Sequence, residues 1–126
     1  MSVRWRGLIV LALIGIIACG RGGDVAGLPP QQWGNVGVTV ESRPVPPRAG
    51  MNEFLVIATE PNGRPVWNMM VSLRTASGED WRQAIQDGES GVYRRALPLN
   101  SGQQTLYVNL RRAGEETVLS FPLRAQ

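Results

Sequence analysis

Histidine and lysine are both missing from this chain of 126 residues, and cysteine occurs once. Each absence removes a class of chemistry. General acid–base work near neutral pH most often runs through histidine, and a serine or cysteine nucleophile needs a base beside it. With no imidazole and one thiol, the chain is not expected to be an enzyme. A lone cysteine also allows no disulfide within the chain, so its core must hold by burial alone. Because lysine is absent, all thirteen basic residues are arginine, and this brings the pI to about 10.0. Arg4 and Arg6 stand at the extreme N-terminus, which leaves eleven arginines against ten acids in the rest. Those eleven are scattered, so the high pI is no nucleic-acid footprint and no nucleic acid is expected as a partner.

A long apolar run is missing too. The longest, "GLIVLALIGII" at residues 7–17, carries no polar side chain and stops before "GRGGD". A bilayer-spanning helix needs about 20 apolar residues. A positive start, a short apolar stretch and a small residue before the cut are instead the parts of an export signal. Ile16-Ile17-Ala18-Cys19 resembles the end of a bacterial lipoprotein signal, with isoleucine where leucine is commoner. That resemblance implies a signal peptide over residues 1–18, cleavage before Cys19 and acylation of its thiol. Palmitate-type chains on Cys19 would hold the protein at the membrane, since two or more chains convert marginal binding into stable anchoring. The alternative is a buried free cysteine in a short uncleaved anchor. In either case the remainder is expected to face an extracytoplasmic space, the periplasm, with the lipid anchor in the cell membrane or the outer membrane. In a Gram-negative cell, Gly20 in place of aspartate after the cysteine favours the outer membrane.

Residues 19–35 read as the acylated cysteine and a flexible tether. "GRGGDVAGLPPQQWGN" is dense in Gly and Pro and repeats at no helical or strand period. Trp33, its one large aromatic, is expected either to pack where the chain joins the domain, the default reading, or to touch a partner. Residues 36–126 form one domain without internal repeats. "VGVTVES", "NEFLVIATE", "PVWNMMVSLRT", "DWRQAI", "GVYRRALPL", "QTLYVNLRR" and "ETVLSFPLR" alternate or are β-branched and aromatic, and turn-forming residues separate them. Seven short strands with no helical period predict an all-β fold, an immunoglobulin-like antiparallel β-sandwich.

The order "RAGMNEFLVIATEPNGRPVWNMMVSL", then "GESGVYRRALPLNSGQQTLYVNLRRAGEETVLSFPL", is similar to the YtkA-like family and its FixH-type relatives. The shared features are a Pro-rich lead-in, Gly50 before an Asn-x-Phe strand, the turn Asn62-Gly63-Arg64-Pro65-Val66, the Gly91-x-Tyr93 strand start and a closing hairpin. The resemblance implies an extracytoplasmic immunoglobulin-like domain. Two departures accompany it. Gln103-Gln104-Thr105 follows Gly102 where that group usually has tryptophan, and the histidines that go with methionine in copper handling are absent.

Methionine thioethers are soft ligands that suit Cu(I), so Met51, Met69 and Met70 form the alternative metal set. Met69 and Met70 are adjacent on a predicted strand and point to opposite faces, so at most one can join Met51. Core filling is the other reading of all three. Glu79, Asp80, Asp87 and Glu89 bracket one strand without the alternating oxygen ligands of a calcium loop, and are read as solvated turn charges. If Phe54, Val56 and Ala58 face the core, Leu55 and Ile57 lie on the outer face. Together with Trp67 and Trp81 they are the candidate partner surface. The expected function is a non-catalytic binding or accessory module for another envelope or respiratory protein. The alternatives are a copper carrier and a structural lipoprotein without a specific ligand.

Overall fold

The computed structural model describes residues 28–76 and 79–126. The expected signal peptide, Cys19 and the first part of the expected tether lie outside them. Nine strands follow in order: β1 (Gln31–Trp33), β2 (Val36–Arg43), β3 (Gly50–Thr59), β4 (Met70–Arg74), β5 (Arg82–Gln83), β6 (Ile85–Gln86), β7 (Val92–Leu99), β8 (Gly102–Arg112) and β9 (Glu115–Ala125). They form two antiparallel sheets, one in the order β1-β2-β3-β7-β6 and the other β5-β4-β8-β9. Setting β1 aside, these are the orders of the A-B-E-D and C′-C-F-G sheets of an immunoglobulin-like sandwich.

Period-two alternation puts the core where the sequence predicts it. Phe54, Val56 and Ala58 of β3 are fully buried, and so are Val38 of β2, Leu73 of β4 and Leu106, Val108 and Leu110 of β8. Each fully buried Val, Leu or Phe contributes about 1.5–3 kcal/mol relative to exposure. With no disulfide among them, these contacts between the inner faces hold the sheets together.

Three sequence expectations need correction. Residues 31–33, expected to belong to the tether, are strand: Gln31–Trp33 pairs with β2 from Gln31↔Val38 to Trp33↔Val36. Within this strand Trp33 is half-buried and packs on the core, as expected of it. The run "DWRQAI" is two short strands. β5 pairs with β4 in one sheet, Ala84 donates its N–H to Val71 C=O at 2.7 Å, and β6 then pairs with β7 in the other. Lastly, "PVWNM" is loop: β4 begins only at Met70, after an isolated bridge between Thr59 and Pro65.

Because every pairing is antiparallel, the molecule has two poles. At one lie the turn 34–35, the loop 60–69, the turn 87–91 and the hairpin turn 113–114. At the other lie the proline-rich loop 44–49, the turn 100–101 and the C-terminus. Here Ala49 donates its N–H to Gln126 C=O and Gln126 donates to Pro47 C=O. Buried Asn52 ties down the proline-rich loop by accepting from Arg48 N–H (2.9 Å) and donating to Arg48 C=O (2.7 Å). Since β1 runs toward Trp33 and the turn at 34–35, it is entered from the side of this second pole.

Candidate functional site

Three of the loops at the first pole meet around a cleft of about 630 Å³. Local chemistry sets the shape of each. In the loop 60–69, Gly63 at φ 83° closes a turn by donating its N–H to Glu60 C=O, and Asn62 Oδ1 accepts from Arg64 N–H. Val66 is then pinned inward. Its N–H donates to Ala58 C=O at 2.9 Å, and its C=O accepts from the buried Tyr93 hydroxyl at 2.8 Å. With Val66 inside, Trp67 turns out to solvent, and the Gln86 side-chain amide donates to its C=O.

The turn 87–91 is fastened by Ser90 Oγ donating to Asp87 C=O at 2.6 Å, and Ala58 N–H donates to Gly91 C=O at 2.9 Å. The turn 113–114 has positive φ at both residues, 52° at Ala113 and 80° at Gly114. That is the twist a two-residue type I′ hairpin needs to join β8 to β9.

Trp67 and Met70 are 47% and 48% exposed on the cleft, while Met69 beside them is buried. Arg111 and Arg112 line another wall, and Gln86 and Glu89 contribute from the β6–β7 side. Arg111 is engaged with Glu116 at 3.4 Å. Asn109 Nδ2 donates to the same carboxylate at 2.8 Å. The Asn109 hydrogen bond, followed by the Arg111 charge, holds Glu116 below the usual carboxylate range. Arg112 is half-buried, and among the described residues no carboxylate lies within 4.0 Å of it. Beneath, burial pushes the Tyr93 phenol up, against the Met69 N–H and the Arg112 charge.

The residues expected to form one partner surface fall in three places. Trp67 lines the cleft. Leu55 and Ile57 do share the outer face of the five-stranded sheet, but Leu55 is only 6% exposed and Ile57 is half-buried. Their strand is central, and Leu55 sits between Glu41 of β2 and Arg94 of β7, long side chains whose stems cover apolar neighbours. On the other sheet Trp81 is half-buried with the Arg74 guanidinium 4.0 Å from its ring centroid, and the same guanidinium lies 5.9 Å from the Tyr107 ring. This stack accounts for Trp81 as an intramolecular contact.

Nor does the fold bring the three methionines together. Met51 is the second residue of β3, at the C-terminal pole opposite Pro98, whereas Met70 pairs with Arg111 beside the hairpin turn. The eleven-residue β9 runs between those poles, a span of roughly 35 Å. A shared thioether site using Met51 with Met69 or Met70 is therefore ruled out by topology. Among the described residues no group of three His, Cys, Asp or Glu side chains is placed to hold a metal ion. Glu79, Asp80, Asp87 and Glu89 are all exposed turn residues, as expected.

Two smaller hollows, of about 430 and 480 Å³, lie around Ile85 and Arg94 and around Gln103 and Pro122. Neither presents an aromatic side chain, which separates them from the cleft. In comparisons with protein-family models and with curated proteins, the chain matches none.

Gln86, Arg111 and Arg112 were not singled out from the sequence, and Glu89 was read only as a solvated turn charge. The charged "RRAGEE" around a turn was the available signal, and only strand order could bring it beside Trp67 and Met70.

Proposed function

We propose that this chain is an exported protein anchored to the membrane through acylated Cys19, and that its β-sandwich is a non-catalytic module that binds another envelope protein at the loop pole. The observation that carries this reading is the pair Trp67 and Met70, each half-exposed and adjacent in an open cleft where three loops converge. Tryptophan, methionine and arginine are the side chains enriched at protein interfaces, and loops held by a rigid scaffold are where binding residues concentrate. The export signal read from residues 1–18, and the likeness to the YtkA-like and FixH-type domains, support an extracytoplasmic setting.

Photo-crosslinking in intact cells tests both halves. A benzophenone amino acid replaces Trp67 in the full chain, with Thr39 on the outer face of β2 as the control position. The expected result is a discrete protein adduct from position 67 in the membrane fraction and none from position 39. Cys19→Ser should move the chain out of the membrane fraction and abolish incorporation of a clickable fatty acid. Equal crosslinking from both positions would remove the cleft as the binding site, and unchanged fractionation of Cys19→Ser would remove the anchor.

A further inference from the structure

We infer that the cleft takes a polypeptide segment in which an acidic side chain stands next to an aliphatic or aromatic one, with Arg112 as the receptor for the carboxylate. This rests on the reading of the cleft as a protein-binding site and adds the chemistry of its occupant.

The inference starts from an imbalance. Arg111 already has a carboxylate partner in Glu116 at 3.4 Å. Arg112 has none within 4.0 Å among the described residues, yet it is half-buried at the end of the core, near enough to Tyr93 to act on its phenol. A guanidinium without an anion beside an apolar cleft is free to take up a carboxylate that enters it. Its five donors in a fixed fork fit a carboxylate in bidentate fashion.

Next to Arg112 the cleft offers the face of Trp67 and the thioether of Met70, both half-exposed and both suited to an apolar side chain. Glu89, on the β6–β7 side, sets a limit on the occupant. A uniformly acidic segment would meet its like charge, whereas one acid beside an apolar residue would satisfy Arg112 and cover Trp67 together.

A random dodecapeptide library displayed on phage, selected against the full chain purified in detergent, tests this directly. Selected peptides should be enriched in Asp or Glu within two positions of Leu, Ile, Phe or Trp. Their affinity should fall about tenfold or more in Arg112→Gln, as expected for loss of a charge-assisted hydrogen bond. Arg112→Lys should retain part of the binding, and Trp67→Ala should lose it. An unchanged thermal midpoint for each variant separates lost contact from lost fold. Peptides that need Trp67 but show no acidic preference and no response to Arg112→Gln would overturn the carboxylate assignment and leave the binding cleft standing. Peptides indifferent to Trp67→Ala would overturn both.

Discussion

At the scale of single residues, Gly91 and Tyr93 fix the loop pole. Gly91 has φ 76°, and a Cβ there would stand 2.6 Å from Ala58 O and 2.9 Å from Pro65 Cβ. Backbone and a proline ring cannot step aside, so Gly91→Ala combines left-handed strain with a collision and should cost about 3 kcal/mol. Gly88 in the same turn, at φ 56° with nothing within 4 Å, supplies the contrast: Gly88→Ala should cost only about 1 kcal/mol. Urea denaturation of the two variants separates a collision from a general intolerance of the turn. For Tyr93, removing the hydroxyl leaves the Val66 carbonyl without its 2.8 Å donor, so Tyr93→Phe should lose about 1–2 kcal/mol at neutral pH. Burial also holds the folded phenol above its ordinary value of 10.0. As pH rises the unfolded phenol ionises first, so stability held in full below pH 10.0 is lost toward the higher folded value. Phenylalanine has no such loss, and the gap between wild type and variant should narrow above that pH in denaturation curves. Leu55 shows the limit of residue-level reading in sequence. Alternation placed it on the outer face correctly, but its exposure depended on Glu41 and Arg94, which only strand pairing makes its neighbours.

At the scale of elements, alternation was a sufficient guide wherever a strand was long enough to show it. β2, β3, β7, β8 and β9 were all legible. β1 was not, because three residues, "QQW", carry no period and follow a Gly- and Pro-rich stretch that reads as linker. The run β5–β6 was legible as extended chain but not as a strand that changes sheets, since the change happens at one residue, Ala84. β9 raises a different problem. It is the long outer strand of its sheet, and its even-numbered residues aim their backbone groups away from β8. Ser120 C=O accepts from the Gln31 side chain, and Gln126 bonds to residues 47 and 49. Pro122 falls in the same set, at a position where an N–H would otherwise face outward. Such a proline is how natural sheets blunt an edge against pairing with another chain. Pro122→Val should therefore give a chain that folds but self-associates with rising concentration in sedimentation velocity, under conditions where wild type does not. A variant as monodisperse as wild type would show that Gln31 and the segment 47–49 protect the edge without help from the proline.

At the scale of the whole molecule, the strand directions connect the candidate cleft to the proposed anchor. What the sequence revealed of the site was its side chains one at a time: Trp67 and Met70 as candidates, Arg111 and Arg112 only among scattered arginines. Their convergence comes from β4, β6 and β8 ending or starting at one pole, a property of sheet order that no local pattern encodes. The same order has β1 entered from the side away from the cleft: Gln31 pairs with Val38, and its side chain reaches Ser120, near the middle of β9. Eight residues lie between Cys19 and Leu28, and the nine steps that join the two can reach at most about 30 Å. If Cys19 is acylated, the loop pole should on average lie farther from the bilayer than the turn at 100–101, so the cleft would meet proteins in the space beyond the membrane surface. Two variants of the lipidated full chain, Asn100→Cys and Gly114→Cys, carrying one fluorophore each on vesicles with a headgroup-attached acceptor, measure this. Energy transfer should be stronger from position 100 than from position 114, and removing residues 21–27 should raise both while keeping their order. Equal transfer from the two positions, or stronger transfer from position 114, would mean that the domain lies across the surface or inverted, with Trp67 turned toward lipid.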